Sequence, residues 1–254
     1  MTVAKYSANG NDFVIMHAFV KKERAELARR LCHRQHGIGA DGLIVLLPHE
    51  SLDFEWQFYN ADGSEAAMCG NGSRAAAHYA YHHGLAPASM RFLTGAGEIA
   101  AEIKAHTVAS ELTPPRLIRD DIDEAGERWW LIDTGVPHLV AVRASVETFD
   151  LNLARRLRRK YDANVNICAL QKDALYVRTY ERGVEDETLA CGTGMAACFY
   201  RLRQEAKVSD RIKVIPTGKE AVFLADNGRT LVLEGAVRRT FEAHIQNIDV
   251  ESHL

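Results

Sequence analysis

The sequence has no excess of positive charge: 31 Lys and Arg stand against 34 Asp and Glu, a formal charge of −3 over 254 residues. A chain that neutralises a phosphate backbone needs a basic balance, so the count argues against nucleic acid as the main partner. No apolar run approaches the roughly 20 residues of a membrane span, which leaves no membrane partner to expect. The stretch Met1 to Val14 carries Lys5, Asn9, Asn11 and Asp12, so it lacks the apolar centre of a secretion signal. Material for a disulfide framework is also missing, because Cys32, Cys69, Cys168, Cys191 and Cys198 are odd in number and thinly spread. These absences predict a cytoplasmic globular chain. Its 47% apolar residues suffice for one large domain or two small ones.

What is present is a repetition. Cys69-Gly70-Asn71-Gly72 and Cys191-Gly192-Thr193-Gly194 are near-copies at an offset of 122 (191 − 69). Glu65 and Glu187 share that offset, as do Ala75 and Ala197. A similar register persists downstream, where Thr94-Gly95 matches Thr217-Gly218 and Glu111 matches Glu234. Upstream the match is looser, Gly10 and Gly135 each standing before an apolar stretch. A period this long predicts two similar domains rather than a solenoid of short repeats. Thr113-Pro114-Pro115 reads as the joint, dividing the chain into 1–113 and 114–254.

Each half carries a similar run of elements. In the first, a strand is expected from Val14 to His17, then a helix from Lys22 to Arg34 with Ala25, Ala28, Leu31 and Cys32 on one face. Strands follow at Leu43 to Leu47 and through the alternating Phe54, Trp56 and Phe58; the cysteine phrase then opens an Ala-rich helix that Gly84 should stop. Strands near 90–93, 99–103 and 107–112 complete the half. In the second, strands at 129–133 and 139–143 precede a helix at 151–161. Strands near 165–170 and 174–180 lead to the second cysteine phrase, its helix to about Glu205, and strands to the end. This pattern predicts an α+β fold of two pseudo-symmetric domains from an internal duplication, each a mostly antiparallel sheet curved around a central helix.

A glycine-rich phrase at a helix start exposes backbone N–H groups at the positive end of the helix dipole, which suits an anion. A cysteine at that position has its thiolate form favoured and can act as a base near neutral pH. If two such helix ends meet across a pseudo-two-fold cleft, two thiols flank one bound anion. That arrangement fits removal of an amino acid's α-proton on one face and return of a proton on the other. The carbanion's charge spreads into the carboxylate, where N–H groups from two helix starts can hold it without a cofactor. The plainer reading is that the glycines serve packing and the cysteines are buried fillers, and it explains one phrase better than a pair in register. A cysteine hydrolase, with Cys69 or Cys191 as nucleophile and His138 as base, explains one cysteine only. A binding module that merely captures a carboxylate is a third alternative.

Other signals are weaker. Gly37-Ile38-Gly39-Ala40-Asp41-Gly42 spells G-x-G-x-x-G but follows a helix and enters a strand, the reverse of the dinucleotide-binding order. His33 and His36 beside Cys32, or His82 with His83, lack a second ligand pair at zinc-like spacing, so no metal is expected. The basic run Arg155 to Lys160 reads as a solvated helix face.

Together the phrases resemble the cofactor-independent diaminopimelate epimerases over nearly the whole chain. The resemblance rests on Gly10-Asn11-Asp12-Phe13, Asn60-Ala61-Asp62-Gly63-Ser64-Glu65 before the first cysteine phrase, Pro137-His138, and Glu181-Arg182-Gly183 before the second. It implies epimerisation of LL-2,6-diaminopimelate to the meso form, with Cys69 and Cys191 as the acid/base pair in a cleft between the halves. It also implies that the last strand completes the first half, that the enzyme is a homodimer, and that no cofactor takes part. Gly70, Asn71, Gly192 and Thr193 resemble the loops holding the reacting carboxylate. Asn11, Asn60, Asn164, Glu181 and Arg182 resemble substrate-binding residues, with Glu181 and His138 supporting the cysteines. The plainer role of Asn60 and Asn164 is turn chemistry. Gly42 stands where many members have glutamine, and Val136 where many have the asparagine of an Asn-Pro-His phrase. A racemase of another amino acid, such as histidine, is the alternative within this fold.

Overall fold

A computed structural model describes residues 1–105 and 107–246. The chain divides into two compact units: Met1–Ser110 with the segment from Ala236 onward, and Glu111–Gly235. Strands expected toward the chain's end are present as far as His244; 247–254 lie outside the described residues.

Unit 1 contains β1 (Thr2–Ala8), β2 (Asn11–His17), α1 (Ala25–Cys32), β3 (Gly42–Leu47), β4 (Phe54–Asn60), α2 (Gly70–His82), β5 (Ser89–Thr94), β6 (Gly97–Lys104) and β7 (Thr107–Glu111). Unit 2 contains β8 (Arg116–Glu124), β9 (Glu127–Asp133), β10 (Pro137–Val142), α3 (Leu151–Tyr161), β11 (Asn164–Gln171), β12 (Ala174–Glu181), β13 (Asp186–Thr188), α4 (Gly192–Gln204), β14 (Arg211–Pro216), β15 (Val222–Asp226) and β16 (Leu231–Ala236). The remaining strand, β17 (Arg238–His244), returns to unit 1 and pairs antiparallel with β1.

The two units share one topology. In unit 1 the order β17-β1-β2-β3-β4-β5-β6-β7 is antiparallel except at β2–β3 and β4–β5. In unit 2 the order β8-β9-β10-β11-β12-β14-β15-β16 is antiparallel except at β10–β11 and β12–β14. Even a short side pairing repeats: Tyr59 bridges Glu65, and Tyr180 pairs with Glu187. The duplication read from the cysteine phrases is therefore a duplication of fold. Gly10 and Gly135, the loosest match in sequence, both adopt left-handed φ, 86° and 100°. Each follows its unit's second strand in that order and makes the turn into the third, where a Cβ would be strained.

Burial explains why these segments fold as they do. Strand β3 is buried at every position. Ile44 and Leu46 pack with the alanine face of α2, while Leu43, Val45 and Leu47 pack with Ala28, Leu31 and Cys32 of α1. A strand covered on both faces reads as an unbroken apolar run. Helix α2 lies against β1, β2, β3 and β6, and α4 against β9, β10, β11 and β12. The small side chains Ala75, Ala76, Ala77 and Ala80 let the sheet curve closely around α2. Among the described residues, no helix is long and apolar enough to cross a membrane.

Candidate active site

Each unit presents a cysteine as the residue preceding its central helix. Cys69 caps α2 with extended backbone, φ −151° and ψ 115°, and Cys191 caps α4 at φ −117° and ψ 108°. The first N–H groups of a helix have no acceptor within it, so both phrases gather donors and a positive dipole end around a sulfur. In unit 1, Gly72 donates its N–H to Cys69 Sγ at 3.3 Å. In unit 2, Cys191 Sγ lies 3.4 Å from Thr193 Oγ1. Cys69 is half-buried and Cys191 buried. The other three thiols are buried, and burial pushes Cys32 up to about 12 and Cys198 well above the ordinary value.

The glycines inside the phrases are required by proximity. A Cβ at Gly72 would stand 3.3 Å from both Cys69 Cβ and Ile44 Cδ1. At Gly194 it would stand 2.4 Å from Asn166 Oδ1 and 3.0 Å from Thr179 Oγ1. Each helix start thus sits directly on its sheet.

In unit 1 the structure brings Asn11 and Asn71 together: Asn71 Nδ2 donates to Asn11 Oδ1 at 2.7 Å. Asn11 Nδ2 donates in turn to Asp41 Oδ2 at 3.0 Å. Asp12 is bound beside them by Lys5 and Arg34. Burial alone would raise its carboxyl, but the hydrogen bonds from Arg34 and Lys5 outweigh that and hold it below the ordinary 3.8. Asn60 stands apart from this set. It is exposed at the end of β4, and its Nδ2 donates to Ser64 Oγ at 3.0 Å within the Asn60–Ser64 turn. Gly42 pairs with Asn60 across the β3–β4 ladder. The Phe58 ring and the Tyr59 backbone carbonyl lie where a Gly42 Cβ would point, 2.5 and 2.7 Å from that position, so a glutamine has no room there without a shift of the β4 backbone.

In unit 2, Asn164 Oδ1 accepts from the Arg182 N–H at 2.7 Å, and Glu181 Oε2 accepts from Thr188 Oγ1 at 2.9 Å. The Arg182 guanidinium reaches Asp162, at 3.0 Å from its carboxylate and 3.1 Å from its carbonyl. His138 has no exposed surface. Asn166 Nδ2 donates to Leu139 O at 3.1 Å and faces His138 Nδ1 at 3.1 Å, while Asn166 Oδ1 accepts from Thr179 at 2.8 Å. A carbonyl can only accept, which identifies the Asn166 atom facing His138 as nitrogen, so Nδ1 accepts from it. Burial pushes His138 down to about 3, against a raising contribution from Asn166, so the ring is neutral near pH 7.

Several of these participants are not among the residues the sequence singled out. Asp41, Arg74 and Asn166 each contact one of the candidates, Asn11, Asn71 and His138, and Thr179 in turn holds Asn166. Arg74 and Asn166 did leave a trace, as polar residues immediately before Ala75 to Ala77 and inside the otherwise apolar Val165 to Leu170.

Comparison with known proteins bears on the whole chain. The family model described as "Diaminopimelate epimerase" matches residues 3–118 and 130–240. The diaminopimelate epimerase of a Nitratiruptor species is 59% identical over 249 residues, spanning 98% of this chain and 100% of that one. That of Helicobacter pylori is 41% identical over 256 residues, spanning 94% of each. Among solved structures, a probable proline racemase from Agrobacterium radiobacter is similar with a TM-score of 0.77 at 14% identity, covering 98% of this chain and 94% of that one. A hydroxyproline epimerase from Agrobacterium vitis is similar with a TM-score of 0.73 at 15% identity, covering 96% and 91%. At such low identity these two structures speak for the fold alone.

Proposed function

The chain belongs to the diaminopimelate epimerase family and is an isomerase; from that premise we propose that it interconverts LL- and meso-diaminopimelate by a two-cysteine, one-proton exchange in a reducing cytoplasm. The observation that carries this reading is the matched pair of cysteines, each capping the N-terminus of the central helix of its unit. One acts as thiolate and removes the α-proton. The other, as thiol, delivers a proton to the opposite face, and the roles exchange in the reverse direction. The α-carboxylate takes up the carbanion's charge and is held by the first N–H groups of the two helices, at Gly70-Asn71 and Gly192-Thr193.

The remaining residues orient rather than react. His138 is neutral and acts as a hydrogen-bonding support behind Cys191, and Glu181 supports the pair through its own fixed carboxylate. Asn11, Asn60, Asn164 and Arg182 hold the substrate's polar ends. The hydrolase alternative asks His138 to take a proton from a thiol. An imidazole held near pKa 3 is a poor acceptor for it.

The test is α-hydrogen exchange. The purified protein is incubated in heavy water with LL-diaminopimelate and a panel of L-amino acids, and deuterium at each α-carbon is followed. Exchange with inversion for diaminopimelate is expected. Exchange confined to another amino acid would make the chain a racemase of that compound, and absence of any exchange would refute the reaction class.

A further inference from the structure

Arg74 projects from the first turns of α2 and has no exposed surface. Its Nη2 contacts Asn9 Oδ1 at 2.7 Å and Asn71 Oδ1 at 2.5 Å, and its Nε contacts Gly70 O at 3.4 Å. A guanidinium carries donors only, so the Asn71 atom it touches is oxygen. The amide nitrogen of Asn71 is thereby turned to Asn11, whose facing atom must be the oxygen, and the Asn11 nitrogen is turned to Asp41. A carboxylate accepts only, so the far end of the chain imposes the same direction. Asp41 is itself fixed, Oδ2 by the Asp12 N–H at 3.1 Å and Oδ1 by Arg34 at 2.7 Å. Two carboxamides that could each lie either way round are thus set by a donor-only group at one end and an acceptor-only group at the other.

We propose that Arg74 is a positioning residue of the first half-site, acting through Asn71 to fix the amide direction of Asn11, with Asp41 as the terminal acceptor. One N–H on each carboxamide is left over from this relay, and both present donors to a substrate oxygen rather than to an ammonium. The Gly37–Gly42 turn acquires a task as well, because it carries Asp41. This inference rests on the proposed amino-acid epimerisation for its effect on turnover, but not for the relay itself.

The experiment uses Arg74→Met, which keeps bulk without donors, and Arg74→Lys, which restores them. Two readouts are taken beside the melting temperature. The side-chain amide resonances of Asn11 and Asn71, assigned by their loss in Asn11→Asp and Asn71→Asp, should both shift in Arg74→Met and return toward wild-type positions in Arg74→Lys. Turnover of diaminopimelate should fall about 10- to 100-fold in kcat/KM for Arg74→Met, chiefly through KM, with partial recovery in Arg74→Lys. Combining Arg74→Met with Asn11→Ala should cost little more than the worse single change. Unmoved amide resonances, or additive losses in the double variant, would overturn the relay. A wild-type protein with no turnover of diaminopimelate would refute the proposed function, while the amide resonances still decide on the relay.

Discussion

Phe13 and His138 hold equivalent places in the two units: each lies across a parallel ladder from the first residue of the next strand, Phe13 from Gly42 and His138 from Asn164. Two residues further along, Ile44 lies opposite Phe58 in unit 1 and Asn166 opposite Thr179 in unit 2. The same four positions are therefore apolar beneath one cysteine helix and polar beneath the other. Phe13 and Phe58 meet edge to face, 6.1 Å apart, whereas His138, Asn166 and Thr179 form a buried hydrogen-bonded group.

That asymmetry gives equivalent glycines different tolerances. Gly194→Ala drives a methyl against Asn166 Oδ1 and disturbs the His138 group, with an expected loss of about 1–3 kcal/mol and a marked fall in turnover. In Gly72→Ala the neighbours are a methyl and a Cβ that yield by tenths of an ångström. Ala's better helix propensity, about 1 kcal/mol, offsets the contact, so stability should stay near wild type. Urea unfolding of the two variants measures the difference; equal losses would refute the asymmetry.

His138 should make stability pH-dependent. Below its ordinary 6.5 the unfolded chain takes up a proton at this ring, which the folded chain refuses until about pH 3. Stability contributed by the neutral ring is complete above 6.5 and declines as pH falls through that window, by up to about 1.4 kcal/mol per pH unit. Denaturation between pH 7 and 4 should show this slope in the wild type and a flatter one in His138→Asn.

Loss of either proton carrier should be severe. Cys69→Ala and Cys191→Ala are each expected to lower turnover at least about 10³-fold, at the upper range for general acid–base groups, with melting temperatures little changed. In the wild type a mild alkylating reagent should label half-buried Cys69 ahead of the four buried thiols, and diaminopimelate should slow that labelling. Mass mapping of the labelled peptides checks the order. Near-normal turnover in either variant would refute the two-base scheme.

If the thiols flank one α-carbon, they are also close enough to oxidise. Hydrogen peroxide should convert one thiolate to a sulfenic acid with release of hydroxide; the second thiol then displaces water to form a Cys69–Cys191 disulfide. Activity should vanish with loss of both thiols and return on adding dithiothreitol. A fully oxidised sample that keeps its turnover would count against the proposed proximity.

The elements legible in the sequence are those with one dry and one wet side or an unbroken apolar run, such as α1, β3 and β4. Three strands escaped, β1, β8 and the three-residue β13. In β1 the side chains of Val3 and Tyr6 enter different core clusters on opposite faces, with the nearly buried Lys5 between them, so no alternation marks it, although Asn9-Gly10 spells a hairpin turn. In β8, Ile122 alone is buried, and an edge strand held by its backbone ladder to β9 needs no pattern of its own. For the candidate site, the cysteine phrases were legible because two copies stood in register. Asp41, Asn166 and Thr179 were not, because a buried polar residue declares itself only through its partner, and those partners lie 13 to 30 positions away.

The return of β17 to β1 has a bearing on how the chain is made. Unit 2 is continuous and can collapse as it leaves the ribosome, whereas β1 must wait for β17, on the far side of unit 2, before its second neighbour exists. Met1 N donates to Ile245 O at 2.7 Å, a contact between residues 244 positions apart. Closing a loop of that length is slow, so the half carrying Cys69 is expected to mature after the half carrying Cys191. A chain stalled before β17 would then carry one finished thiol helix and no working pair.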